Sequence, residues 1–144
     1  MGKSLVCKTV WNSSANYSDL AERYHGPGNL EPGDVVNIGG DQEIRKTESN
    51  EGDCFGVIST QPAVKMNADA GDDGSHPYVA LAGRVPCKVE GKVSKGQRLI
   101  PGTTPGIAIK ANADDLTMTN IVGRSLEDKE TEDISIVEIV VGKA

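Results

Sequence analysis

Aromatic residues are scarce in this chain of 144 residues, where they make up only 3% of the sequence. Its core must therefore be built mainly from Val, Ile, Leu and Ala, and the branched members of that set favour strands. The 17 glycines and seven prolines are spread between short apolar runs rather than gathered in a tail, which indicates many turns. Length and composition predict one mainly β domain, a small barrel or sandwich.

Long apolar runs and basic clusters are also missing. No run approaches the ~20 apolar residues of a membrane span, and the N-terminus lacks the extended hydrophobic segment of a secretory signal. With 21 acidic against 15 basic residues, the net charge of −6 repels polyanions such as nucleic acid. We expect a soluble protein, made in a cytoplasm, that binds neither membranes nor nucleic acid.

The residues that carry most enzyme chemistry are few. His25 and His76 are the only histidines, and none of the common nucleophile, phosphate-binding, dinucleotide-binding or zinc-protease motifs occurs. We therefore predict no enzyme activity, no cofactor and no metal site, and we interpret both histidines as surface residues. Cys7, Cys54 and Cys87 lack a Cys-x-x-Cys spacing and are predicted to be buried free thiols. An interchain disulfide through Cys7, near the terminus, is the alternative.

The strongest strand signal lies in residues 78–89. Apolar side chains alternate with small or polar ones from Val79 to Val89, as they do in a strand with one buried face. Gly83 within it indicates a bend or the close approach of another backbone, and Pro86 belongs where its nitrogen needs no ladder partner. This segment is expected to be the long central strand of the domain.

Residues 1–16 are predicted to form an extended N-terminal arm. An apolar run of strand length occupies residues 4–11 and is followed by a polar stop. A terminal strand of this kind pairs with its own domain or is donated to a neighbour. The side chains expected to bind a partner are Leu5, Val6, Val10 and Trp11.

Residues 17–24 are predicted to form one short helix at the start of the domain. Ser18 is placed to cap it, and Leu20 and Tyr24 lie one helical turn apart. Residues 17–144 then form a single β-barrel-like domain, in which turn and strand signals alternate. The other strands are predicted at residues 35–38, 43–47, 54–59, 107–110, 121–126 and 134–141, and residues 93–100 are predicted to form a turn followed by a strand.

An acidic loop at residues 67–76 is the longest predicted interruption between strands. Asp69, Asp72 and Asp73 cluster in it, but Gly71 stands where a calcium loop of the EF-hand type needs Asp or Asn. We interpret the three carboxylates as a solvated tip that is exposed for contact with a partner.

Five blocks of the sequence stand out together, at residues 17–24, 31–40, 56–64, 80–89 and 121–127. In this order they resemble a surface domain of tailed-phage virion proteins. This domain often ends tail fibres and appendages, and it is similar to the self-cleaving C-terminal domain known as peptidase G2. The paired turn and strand units also resemble small head decoration proteins of phages.

The resemblance implies a β-rich homotrimer on the virion surface, assembled from chains made in the host cytoplasm. The first function it suggests is capsid decoration, in which this cement protein would bind the major capsid protein through the N-terminal arm. The second is a tail-fibre or baseplate component that meets other virion proteins and contacts the host through the acidic loop. The third is a self-cleaving peptidase, for which no catalytic residue is assigned. Capsid decoration is expected first, because only 16 residues precede the first block, whereas self-cleaving relatives carry a long upstream fibre.

Overall fold

The computed structural model describes residues 18–142, which form a mainly β fold with no long helix. Two short 3₁₀ turns lie between the strands at Ala68–Ala70 and Ala113–Asp115. No helix in this part of the chain is long and apolar enough to cross a membrane. In chain order the strands are β1 (Asp19–Arg23), β2 (Val35–Ile38), β3 (Ile44–Lys46), β4 (Gly56–Ser59), β5 (Val64–Met66), β6 (Tyr78–Glu90), β7 (Arg98–Pro101), β8 (Ala108–Lys110), β9 (Gly123–Ser125) and β10 (Ile134–Val141).

Five strands close into a barrel. β6 pairs with β10, β10 with β9, β9 with β7, β7 with β8, and β8 returns to β6. Closure protects strand edges that would otherwise be open to pairing with other chains. The interior is aliphatic, and the side chains that are at most 1% exposed there include Val85, Val89, Leu99, Val137 and Ile139.

The other strands form an open layer on the first half of β6. β1 and β4 pair with opposite sides of that half, since both contact Ala80. β2 and β3 extend the sheet beyond β4, and β5 lies parallel to β1 at the other edge. A second apolar cluster, formed by Val36, Ile44, Ile58 and Val79, packs within this layer.

The central strand predicted from the sequence is confirmed as β6, which is 13 residues long and pairs with four other strands. Gly83 has a φ of 96°, and the Ser18 carbonyl oxygen passes so close that a Cβ on Gly83 would lie 2.6 Å from it. Pro86 lies opposite Glu138 of β10, in the stretch where pairing with β1 has ended and pairing with β8 has not begun. Its missing N–H therefore removes no ladder hydrogen bond on that side.

The short helix predicted over residues 17–24 is wrong for the residues described, because Asp19–Arg23 is strand β1. Leu20 and Tyr24 have helical spacing, but the buried positions are Asp19 and Ala21, which alternate as in a strand. β1 lies between β5 and β6 and finds backbone partners on both sides. This tertiary pairing overrides a weak local preference for helix.

The strands predicted at residues 35–38 and 134–141 are confirmed as β2 and β10, and the strand predicted at residues 43–47 is β3, which pairs with β2. Cys54 and Cys87 are free thiols, and burial raises the pKa of each, which makes both poor nucleophiles. Cys7 lies outside the described residues. The predicted N-terminal arm also lies outside them, with its partner-binding residues Leu5, Val6, Val10 and Trp11.

We expect Gly83→Ala to lower the free energy of unfolding by about 1–3 kcal/mol, because a side chain there meets the Ser18 carbonyl at a φ that only glycine adopts easily. Urea denaturation measures the change. Gly28→Ala is the matched control, since no atom lies within 4 Å of a Cβ built there and its φ is not positive. Equal losses of stability in the two variants would contradict the tight approach at Gly83.

Candidate functional site

A small apolar pocket opens where β4 and the turn before β2 lie against β6 and β10. The Lys88 amide of β6 donates to the Gly33 carbonyl at 2.9 Å and holds that turn in place. The pocket is lined by Pro32, Gly33, Ile58, Ser59, Thr60, Pro86 and Ile136. Two carboxyl groups belong to residues next to this lining and form the candidate site with it. Asp19 is buried near Ser59, and Glu138, whose Oε1 is buried, pairs with Pro86.

Asp19 begins β1 and is only 2% exposed. Its backbone is positioned by pairing with Gly83 of β6. Neither carboxylate oxygen accepts a hydrogen bond of good geometry from the described residues, although the Ser59 hydroxyl and the amide of Asp19 itself lie close. Burial therefore raises the pKa of Asp19, and those two dipoles offset only part of the rise.

Glu138 lies on β10 and supplies the second carboxyl group. Its Oε1 is buried and accepts no hydrogen bond within the described part of the chain. Burial raises the pKa of Glu138, and the Arg84 guanidinium at 3.9 Å opposes this rise. The charges of Glu127 and Asp19 raise the pKa further, so an ionised Asp19 favours the neutral form of Glu138.

The protonation state of Asp19 and Glu138 decides what these two carboxyl groups can do chemically. A carboxyl group held neutral by burial can donate a hydrogen bond or a proton, which an ionised carboxylate cannot do. Burial raises the pKa of Asp19 and of Glu138, which shifts both groups toward this neutral form. Among residues 18–142, no group of three or more His, Cys, Asp or Glu side chains is arranged to hold a metal ion.

The acidic loop is a second candidate surface, and Arg23 of β1 holds it against the sheet. The Arg23 Nε donates to the Ala68 carbonyl at 2.9 Å. Its Nη1 donates to the Asp73 carboxylate at 2.9 Å and to the His76 carbonyl at 2.6 Å. The guanidinium also lies 4.1 Å above the centre of the Tyr78 ring, a cation–π contact. One buried side chain thus ties both halves of the loop to the domain.

The three aspartates of this loop, which the sequence groups as one exposed tip, have different roles. Asp72 accepts hydrogen bonds from the amides of Ser75 and Gly74, each at 2.9 Å, and these bonds lower its pKa. Asp73 is 78% exposed at its side chain despite its ion pair. Asp69 is exposed in the 3₁₀ turn. All three residues are exposed, and the carboxylates of Asp72 and Asp73 make hydrogen bonds within the domain.

Several of these residues were not singled out from the sequence. Asp19, Glu138 and Arg23 belong to strands that only the fold brings together, and no local pattern in the sequence marks them as site residues. His25 and His76, interpreted as unrelated surface residues, are neighbours whose rings stack with centroids 4.6 Å apart at an angle of 9°. That stack closes the base of the acidic loop.

Comparison with known proteins finds matches in structure and none in sequence. No protein-family model matches the chain, and no curated protein matches it either. A C-terminal fragment of gene product 12 of bacteriophage phi29 has the same fold, with a TM-score of 0.57 and 15% identity over 85% of this chain and 99% of the fragment. The pre-mature form of that gene product matches with a TM-score of 0.59 and 17% identity, over 87% of this chain and 21% of the longer one. The resemblance to phage proteins is thus confirmed at the level of the fold.

We expect the stability of the domain to fall as the pH rises through the folded-state pKa of Asp19. Below pH 3.8, the ordinary pKa of Asp, the carboxyl group is neutral in both the folded and the unfolded chain, and burial carries no charge penalty. Above pH 3.8 the unfolded chain ionises first, and the free energy of unfolding falls by at most about 1.4 kcal/mol per pH unit until the raised folded-state pKa is reached. Asp19→Asn should remove this part of the pH dependence, as measured by urea unfolding at a series of pH values. Asp41→Asn, at an exposed carboxyl group, should leave the profile unchanged, and identical profiles for both variants would rule out a buried Asp19 charge.

Proposed function

We propose that this chain is a bacteriophage virion structural protein and forms the terminal domain of a tail fibre or tail appendage. The observation that carries the proposal is the fold shared with a C-terminal fragment of a phage protein, of which 99% is covered. The same unit covers 21% of the longer pre-mature form, so in that protein it is one part of a larger chain. A domain that ends a longer chain suits a fibre or appendage better than a free-standing decoration protein.

Capsid decoration stays a prediction from the sequence. It depends on an N-terminal arm that binds the major capsid protein, and that arm lies outside the described residues. Counting copies per purified particle against the major capsid protein separates the two locations. Far fewer copies than capsid subunits would support the tail, whereas comparable numbers would restore decoration as the function.

The proposed role is structural, and it includes assembly as a homotrimer with other virion proteins. Within this role the acidic loop is the surface proposed to contact the host. Its shape is set in advance by Arg23, which donates hydrogen bonds to three parts of the loop. A binding surface that is already ordered pays less conformational entropy when it meets its target.

We expect the double variant Asp69→Ser with Asp73→Ser to reduce adsorption of phage particles to host cells by about tenfold, because it removes two exposed carboxylates of the loop. The exposed ion pair of Asp73 is worth at most about 1 kcal/mol, so the domain should stay folded. The control variant, Asp41→Ser with Asp114→Ser, makes the same change in net charge at exposed sites elsewhere. Unchanged adsorption with normal particle assembly would remove the loop as the host contact.

Self-cleavage is a second candidate function, and one observation favours it. Asp19 follows residues 1–17 in the chain, and burial raises the pKa of its carboxyl group, which favours the neutral form that can donate a proton to a peptide bond. Intact-mass measurement of the purified chain after long incubation tests it. A cut before Ser18 that Asp19→Asn abolishes would support self-cleavage, and a single full-length mass would exclude it.

A further inference from the structure

The apolar pocket between β4 and β6 is bordered by large apolar side chains that solvent still reaches. Ile136 of β10 lines it and is 52% exposed, and Ile134, two positions earlier on the same strand, is 45% exposed. Side chains two positions apart on a strand point to the same face, so both isoleucines lie on the outside of the barrel. An apolar pocket with an exposed apolar border is typical of a binding site.

The pocket opens where one side of β6 has no partner strand. On this side, pairing with β4 ends at Ala80 and pairing with β8 begins only at Val89 within the described chain. The turn before β2 spans part of the gap, and there the Gly33 amide donates to the Ile58 carbonyl at 2.9 Å. Pro86 lies inside the gap and has no N–H to offer to an added strand. The pocket therefore suits a side chain better than another strand.

The described residues begin beside this pocket. The Ser18 carbonyl lies against Gly83 of β6, and Gly83 is three residues from the lining residue Pro86, about 10 Å along the strand. The next residue, Asp19, is buried near Ser59, which also lines the pocket. Residues 1–17 precede this point and lie outside the described part of the chain. They therefore join the domain a short distance from the pocket.

The N-terminal segment has the composition that the pocket requires. Its apolar side chains include Val10 and Trp11, the latter being the one tryptophan of the chain. Residues 12–17 separate Trp11 from Ser18 and can span up to about 20 Å when extended, which exceeds the roughly 10 Å from Gly83 to Pro86. Residues 1–16 contain two lysines and no acidic residue, whereas the whole chain has a net charge of −6. The segment is therefore attracted to the rest of the chain.

An indole ring fits the chemistry of the pocket. Its walls include four apolar side chains, those of Pro32, Ile58, Pro86 and Ile136. Ser59 and Thr60 also line it, and a hydroxyl oxygen accepts a hydrogen bond from an indole N–H. Tryptophan combines a large apolar face with one polar group, and the pocket offers a partner for each.

We propose that residues 4–11 bind the pocket of their own chain, with the Trp11 side chain in the opening between Pro86 and Ile136. The short connection to Ser18 holds the segment beside the pocket at a high effective concentration, which favours its own chain over a neighbouring copy. A bound segment fixes the place where the preceding chain leaves the domain. It is also not available to the major capsid protein, so the contact opposes capsid decoration. The contact does not depend on the proposed tail location.

Trp11 reports on the contact by itself, because its fluorescence is the only tryptophan signal of the purified full chain. In the wild type, acrylamide should quench it less than in the same chain unfolded in urea. Ile136→Ser should weaken binding by at least about tenfold, because the tryptophan loses an apolar wall, and quenching should rise toward the unfolded level. Ile38→Ser is the matched control, since Ile38 is also 52% exposed but lies on β2 and is not part of the lining. It should behave as the wild type does.

Three results would overturn the contact. The first is a wild-type Trp11 that acrylamide quenches as strongly as in the unfolded chain. The second is a protected Trp11 whose quenching Ile136→Ser leaves unchanged, or that Ile38→Ser exposes equally. The third is recovered protection when Ile136→Ser chains are refolded together with Trp11→Ser chains, because only a neighbouring copy then offers an intact pocket. All three leave the proposed tail location untouched, which the count of copies per particle tests separately.

Discussion

The fold depends on the close packing of three strands at Gly83 of β6. Asp19 of β1 and Val141 of β10 both pair with Gly83, so the start of the domain and the end of its last strand meet at one residue. The Ser18 carbonyl occupies the space where any other residue would have a Cβ. Before this point β6 serves the open layer, and after it β6 belongs to the barrel. A single long strand can join the two parts only because glycine bends it there.

Most strands of this fold were predictable because their signal is local. Alternating apolar residues identified β6 and β10, and the Gly and Pro turns separated the shorter strands. Strand β1 was not predicted in this way, because the polarity pattern of its five residues is compatible with a helix as well as with a strand. Its strand identity comes from partners on both sides, β5 and β6, which lie far along the chain. Local patterns do not contain that information.

The candidate site was beyond sequence reasoning for a related reason. Asp19 and Glu138 come from the first and last strands, and their coupling exists only because β1 and β10 both pair with β6. An aspartate at the start of a segment is normally solvated, and nothing beside Asp19 in the sequence marks it as buried. The acidic loop shows the opposite limit. Its acidic composition is plain in the sequence. That the Asp72 carboxylate accepts hydrogen bonds from two backbone amides of the loop is visible only in the structure.

Glu138 lies electrostatically between buried Asp19 and the surface residue Arg84. The Arg84 guanidinium lowers the pKa of Glu138, whereas burial and the charge of Asp19 raise it. An external carboxylate that binds Arg84 would neutralise part of that guanidinium's effect, so the pKa of Glu138 would rise further. Linkage requires the converse as well: when Glu138 is protonated, the charge of Arg84 is less compensated, and Arg84 attracts an external carboxylate more strongly. Binding of an anion at Arg84 and proton uptake by Glu138 would therefore favour each other, through one pair of opposite charges between adjacent strands of the barrel.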